Sequence, residues 1–271
     1  MANELFSVHN KVVLITGGAG ILGTSMANHF AKEGARVVIL DRNEEVGNKI
    51  ASEIKAKGYE ACFIKTDVLN KEVLEQNCKD IVTKYGTIDV LINGAGGNMP
   101  GATVPPDKTI FDLQVDDFRK VVDLNLFGTV LPTMVFAKVM VEKKQGSIIN
   151  ISSESSIRPL TRVVGYSAAK AAVSNFTKWM CGELAQKFGE GLRVNAIAPG
   201  FFLTEQNRTL MTNADGSLTA RGETIIAHTP FGRFGEPEEL LGTLQWLSSE
   251  ASRFVSGTVT VIDGGFDAFA I

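Results

Sequence analysis

An α/β domain carried on one parallel sheet is what this chain predicts, and three observations predict it. Apolar, strand-like runs recur along its 271 residues, the stretches between them are long enough for helices, and a glycine-rich turn follows the first run directly. Alternation of this kind implies crossover connections, and with them a parallel sheet doubly wound and covered on both faces.

The elements follow in order. Val12-Val13-Leu14-Ile15 is short, apolar and β-branched, as a strand buried on both faces should be. Thr16-Gly17-Gly18-Ala19-Gly20-Ile21-Leu22-Gly23 comes next and opens a helix predicted to reach about Glu33. Arg36-Val37-Val38-Ile39-Leu40 reads as the second strand and ends on Asp41. Further strands are expected near 60–66, 88–93, 147–152, 192–198 and 258–263, which makes seven. Two loop-like regions, Gly94 to Thr109 and Gly200 to Pro237, follow strands at the edge where open α/β sheets take ligands. Loops of that length in compact domains are usually functional, so they are read as walls and lid of a substrate pocket. With 44% hydrophobic residues the chain can bury a large core. One domain is expected over 1–271, with a nucleotide-binding half to about 150 and a catalytic and substrate half from about 151.

Strand, glycine turn, helix, strand and acid stand in the order a dinucleotide site needs, the arrangement of a Rossmann fold. Glycines let backbone N–H groups approach a pyrophosphate, and the helix N-terminus favours its negative charge. Asp41 can accept hydrogen bonds from the adenosine ribose and would repel a 2′-phosphate, so NAD is expected over NADP. Arg42 is the one nearby residue that could pair with a 2′-phosphate and favour NADP instead.

A second constellation carries acid–base chemistry. On a helix Tyr166 and Lys170 stand one turn apart on the same face, at roughly 5–6 Å between Cβ atoms. Ser153 lies upstream. A free tyrosine titrates near ~10, and lowering that by ~3 units needs about 4 kcal/mol of differential interaction with the ammonium. A cleft is therefore required, because a solvated pair gives less.

These residues resemble the short-chain dehydrogenase/reductase family from about Lys11 to Gly265. Besides the glycine turn, the likeness rests on Asp67-Val68, Asn93-Gly94-Ala95-Gly96, Asn125-Leu126-Phe127-Gly128, Asn150-Ile151-Ser152-Ser153, Tyr166-x-x-x-Lys170, Pro199-Gly200-x-x-x-Thr204 and Asp263-Gly264-Gly265. The resemblance implies that Tyr166 is the general acid/base and that Ser153 orients and polarises the substrate oxygen. It implies that Lys170 binds the nicotinamide ribose and tunes Tyr166, and that Asn125 supports a water linking Lys170 to solvent. It assigns the cofactor to Gly17, Gly20, Ile21, Leu22, Gly23, Asp41, Arg42, Asp67, Val68, Asn93, Ala95, Gly96, Tyr166, Lys170, Pro199, Gly200, Phe202 and Thr204. It also implies dimers or tetramers. Two positions depart from the family pattern: Ile21 stands where a glycine is common, with Gly20 before it, and Gly94 stands where an asparagine is common.

Within that family, the segments Gly97 to Thr103, Arg158-Pro159-Leu160-Thr161-Arg162, Phe201 to Arg208 and Leu218 to Pro230 resemble enzymes that act on D-mannonate and D-fructuronate. Arg158 or Arg162 would then meet a carboxylate, while Asn98, Gln206 and Asn207, with Ser153, would meet hydroxyls and the reacting oxygen. The alternatives are another sugar-acid or polyol dehydrogenase, such as a gluconate 5-dehydrogenase, and a catalytically idle nucleotide sensor. The intact Ser153, Tyr166 and Lys170 set argues against the sensor.

A net charge of −3 with pI near 5.7 and no basic stripe argues against nucleic acid as a partner. The opening residues show neither a charged leader nor an apolar stretch, and no run reads as membrane-spanning, so a cytoplasmic protein is expected. Cys62, Cys78 and Cys181 suggest neither a disulfide framework nor a metal knuckle, and His9, His29 and His228 have no ligand spacing, so no metal is expected. Phe176, Trp179 and Leu184 fall near helical spacing and are assigned to the core or a subunit interface.

Overall fold

The computed structural model describes residues 4–203 and 208–268. Seven parallel strands form one sheet in the order β3-β2-β1-β4-β5-β6-β7. They are β1 Val12–Thr16, β2 Arg36–Asp41, β3 Ala61–Lys65, β4 Val90–Asn93, β5 Gly146–Ile151, β6 Leu192–Pro199 and β7 Val259–Ile262. Each falls on a run anticipated from the sequence. The intervening helices are α1 Ile21–Lys32, α2 Glu44–Ala56, α3 Lys71–Tyr85, α4 Val115–Val122, α5 Gly128–Glu142, α6 Val164–Phe188, α7 Arg208–Met211, α8 Ala220–Ala227 and α9 Leu241–Ser248.

Alternate strand residues feed two cores, one on each face of the sheet. Val13, Ile15, Val37 and Ile39 pack with Phe30 of α1, Ile54 of α2 and Leu244 of α9. Val12, Leu14, Val38 and Leu40 pack with Leu74 of α3, Phe136 of α5 and Leu184 of α6. Being apolar on both faces is why these strands read as continuous hydrophobic runs rather than alternating ones. Helix starts are equally local: the Asn43 side chain accepts from the Val46 N–H at 3.1 Å, and Asn70 from Val73 at 3.0 Å.

The chain winds outward from β1 to β3 and then crosses back to β4, so β1 and β4 flank the point where strand order reverses. Thr16, Asn93 and Asn150 lie in register there, aligning the carboxyl ends of β1, β4 and β5. Open α/β sheets bind ligands outside that edge.

Two expectations change. Val115–Glu142 is one helical stretch of 28 residues whose apolar window has a mean hydropathy of 1.6, long and apolar enough by composition to cross a bilayer. Half of that window is buried, with α5 packed on α3, α6, β4 and β5, which accounts for its apolarity as core packing. A π-helical turn over Asp123–Phe127 interrupts it. Secondly, Trp179 is 60% exposed, whereas Leu184 is buried and Phe176 packs on the core, so the three do not share one environment.

Candidate active site

A cavity of about 510 Å³ opens at the carboxyl edge beside β1 and β4. Its floor begins at the glycine turn, with Gly17, Gly20, Ile21, Leu22 and Gly23. Gly17 has φ +66°, and a Cβ there would stand 2.8 Å from the Ala95 Cα, so the turn closes against the β4 loop only with glycine. Ile21 takes the first helical position while Gly20 caps it in extended conformation, which is how the departure at Ile21 is accommodated. Asp41 ends β2 in the same cavity beside Arg42. Its carboxylate accepts from the Ala19 N–H at 3.1 Å and the Asn43 N–H at 2.9 Å, which pins it beside the glycine turn. Val68 follows β3, and Ala95 and Gly96 follow β4. At the second departure, the Gly94 N–H donates to Thr16 Oγ1 at 3.1 Å, and that hydroxyl also takes the Ala95 N–H.

The catalytic candidates converge at the other end. Ser153 leaves β5 as the cap of a short 3₁₀ turn, Glu154–Ser156, and accepts from the Ser155 N–H at 3.2 Å and from its hydroxyl at 3.1 Å. With its lone pairs engaged there, the Ser153 proton is available, and it forms a hydrogen bond with Tyr166 that favours the phenolate. Tyr166 and Lys170 lie on α6, with the Lys170 Nζ 5.5 Å from the Tyr166 ring centre. The ammonium donates to the Ile151 carbonyl at 2.7 Å. Asn125 sits in the π-helical turn, fully buried. Its amide donates to the carbonyls of Gly97 at 2.7 Å and Val121 at 2.8 Å, holding the β4 loop against α4. A Cβ on Gly96 would come within 2.7 Å of Asn125 Oδ1 and 3.3 Å of Lys170 Nζ, so this corner also requires glycine.

Electrostatics here differ from the sequence expectation. Burial pushes the Tyr166 phenol up, and the Ser153 hydrogen bond opposes that only partly. Burial likewise pulls Lys170 down, to about 8. The cleft penalises both charged forms, and the ammonium is directed at a backbone carbonyl rather than at the phenol. Both the burial and the direction of the ammonium favour the neutral phenol of Tyr166.

Four further candidates are not among the residues lining the cavity. Asn93 is 1% exposed and does not line the cavity; its amide donates to Thr133 Oγ1 and Asn150 Oδ1, each at 2.9 Å, tying β4 to α5 and β5. Asp67 turns back to accept from the Leu69 N–H at 3.0 Å, and Thr66 takes its place in the wall. Asn98 bonds Thr103 and the Met99 N–H outside the cavity. Arg158 is spent on the C-terminal segment, where its Nε donates to Asp267 Oδ1 at 2.9 Å and its Nη2 to the Asp267 carbonyl. Pro199, Gly200 and Phe202 line the cavity, whereas Thr204, Gln206 and Asn207 lie outside the described residues. Sequence reading missed Thr66, Leu124 and Phe201. Their position just past strand ends, or beside Asn125, was the available signal.

Arg162 lines a separate cavity of about 400 Å³ that shares Phe201 with the cleft. Arg221 and His228 also face it. In the 3₁₀ turn after β5, Glu154 is 1% exposed and neither carboxylate oxygen has a hydrogen-bond partner among the described residues. Burial first, then Asp267 and Asp263, push it up to about 7 against the opposing pull of Arg158.

A glycine turn at the start of α1 and a tyrosine one turn from a buried lysine thus line one cleft at the carboxyl edge of the sheet. The profile of the short chain dehydrogenase family matches residues 11–215, and the chain belongs to that family. It is 45% identical over 269 residues to the uncharacterized oxidoreductase UxuB of Bacillus subtilis, covering 96% of each chain. Among solved structures, it resembles a proposed D-mannonate oxidoreductase from Haemophilus influenza with bound NAD at 43% identity and TM-score 0.91, covering 98% of this chain and 99% of that one. It also resembles a gluconate 5-dehydrogenase from Burkholderia cenocepacia in complex with NADP and tartrate, at 32% identity and TM-score 0.88 over the whole of both chains. The protein is thus a short-chain oxidoreductase that uses NAD or NADP.

Proposed function

We propose that this enzyme interconverts a hexonate alcohol and its ketone, with D-mannonate and D-fructuronate as the best pair and NAD(H) as the preferred cofactor. The observation that carries the proposal is the convergence of Ser153, Tyr166 and Lys170 in one cleft, in a chain whose likeness to a sugar-acid oxidoreductase extends over nearly its full length.

Gly17, Gly20 and the start of α1 would hold the pyrophosphate, Asp41 the adenosine ribose and Lys170 the nicotinamide ribose. Bound nicotinamide supplies or accepts the hydride. In the reducing direction Tyr166 donates its proton to the substrate oxygen as negative charge develops there, and Ser153 donates a hydrogen bond to the same oxygen. Lys170, held by the Ile151 carbonyl, adds positive potential beside the phenol, and Asn125 fixes the β4 loop that closes this corner. In the oxidising direction Tyr166 takes the proton back.

Gluconate 5-dehydrogenase activity is the second reading, supported by the full-length likeness to such an enzyme. A panel of hexonates and ketohexonates followed by nicotinamide absorbance decides between them. The highest kcat/KM on D-fructuronate sustains the proposal, and the highest on 5-keto-D-gluconate replaces it. The same reading includes a cytoplasmic dimer or tetramer associating through α5 and α6, where Met134 is 51% and Trp179 60% exposed. Sedimentation of the parent and of Trp179→Asp tests the association, with monomer expected only in the variant.

A further inference from the structure

The Arg162 cavity lies beside the catalytic cleft with Phe201 as a common wall. Arg162 comes from the turn before α6, four residues ahead of Tyr166, and Arg221 from the first turn of α8. No carboxylate is among the residues lining this cavity, and neither guanidinium has an ion pair or side-chain hydrogen bond among the described residues. Arg221 is pulled down by burial and then by the positive charge of Arg162, so the two cations repel across the space. Their placement is costly in two further ways. Arg162 is a non-glycine residue with φ +75°, locked there as its carbonyl accepts from the Val104 N–H at 2.8 Å. Arg221 sits at a helix N-terminus, where the dipole disfavours a cation. An anion placed between the guanidiniums relieves the repulsion and meets two planar donors suited to a carboxylate.

The geometry points to Arg162 and Arg221 as a carboxylate subsite for the substrate, set apart from the reacting carbon by Phe201. This inference rests on the sugar-acid reading above and specifies how the acid is recognised. In a hexonate reacting at C5, four carbon–carbon bonds of about 1.5 Å separate the reacting carbon from the carboxylate carbon, a reach of roughly 5 Å when extended. The acid group of such a molecule belongs in a neighbouring space rather than within the nicotinamide cleft. His228 adds hydroxyl recognition: its Nδ1–H donates to the Thr224 carbonyl at 2.7 Å, a tautomer that leaves Nε2 as an acceptor. Arg158, which the sequence offers equally, is excluded by its pairing with Asp267.

The test measures kcat/KM for D-fructuronate and for uncharged D-fructose in the parent, Arg162→Ala, Arg221→Ala, Arg221→Lys and Arg158→Ala. The ratio of charged to uncharged kcat/KM should fall roughly 10- to 150-fold in each arginine-to-alanine variant at 162 and 221, mainly through KM, and recover in part in Arg221→Lys. Arg158→Ala should keep the parental ratio. Equal losses on both substrates, or a fall confined to Arg158→Ala, overturn the subsite while leaving the proposed function standing. A parent inactive on every hexonate overturns the proposed function instead. In that case calorimetry with tartrate as probe judges the subsite: tight binding lost in Arg221→Ala supports it, and equal or absent binding in both proteins overturns it.

Discussion

Under the proposed function, the nucleotide side and the substrate side of this molecule recognise their ligands by different means. On the nucleotide side the recognising groups are largely backbone: the glycine turn, the start of α1 and the loop after β4, with Asp41 tied to the turn by the Ala19 N–H. On the substrate side they are side chains whose availability depends on distant partners. Arg158 and Arg162 are four residues apart, yet one is committed to Asp267 and the other faces an open cavity with Arg221. Backbone recognition follows from local chain geometry, whereas side-chain recognition depends on which charges the fold has already neutralised.

The largest effect that would sharpen this contrast is at the junction of the two sides. Tyr166→Phe removes only the hydroxyl and should lower kcat by ~10²–10⁴-fold with NADH affinity retained, as measured by turnover alongside fluorescence titration. Near-normal turnover removes Tyr166 from the mechanism. Lys170→Ala should weaken both turnover and cofactor affinity, because in the proposed mechanism its ammonium serves the ribose and the phenol together. A change in melting temperature alone would reduce it to a buried helix residue.

Glu154, whose charged neighbours include Arg158 and Asp267, tests through stability how those distant charges are arranged. Its carboxyl is raised to about 7 from 4.5, so the folded state binds the proton more tightly than the unfolded chain does. The resulting stabilisation is fully present below about 4.5 and is lost as pH rises through about 7, and amounts to ~3 kcal/mol at most. Glu154→Gln should abolish that loss: urea melts between pH 4.5 and 7.5 should show parent and variant diverging in slope by up to this amount. Parallel pH profiles would mean that Glu154 is solvated in the native state.

The smallest expected effect tests a side chain at the adenosine end of the nucleotide side. Asp41→Ala should move the kcat/KM ratio of NAD to NADP by roughly tenfold towards NADP, equivalent to about 1.4 kcal/mol. A parent that already favours NADP would show that Arg42 dominates at the end of β2. Either outcome is read from initial rates with the two cofactors at fixed substrate.

Much of this was legible in one dimension. All seven strands were, because strands apolar on both faces leave continuous β-branched runs such as Val12 to Ile15. The glycine turn and Tyr166 with Lys170 were legible because close backbone approach and a shared helix face are set by spacing alone. The bonds of Asn93, at the end of β4, were not legible, because Thr133 and Asn150 are brought to it only by the fold. The length and apolarity of Val115–Glu142 went unread, because the stretch is continuous only as a folded helix, packed against α3, α6 and the sheet.

What the sequence by itself determined, then, was the order of elements, the glycine turn at the start of α1 and the placing of Tyr166 one turn from Lys170, all of which rest on interactions between near neighbours in the chain. Tertiary structure decided the charge states in the cleft, since desolvation of Tyr166 and Lys170 depends on everything packed around them. It also decided which arginine remains open to an anion. Asp267 lies more than a hundred positions from Arg158, and Arg221 nearly sixty from Arg162; no local pattern records that the first pair attracts and the second repels.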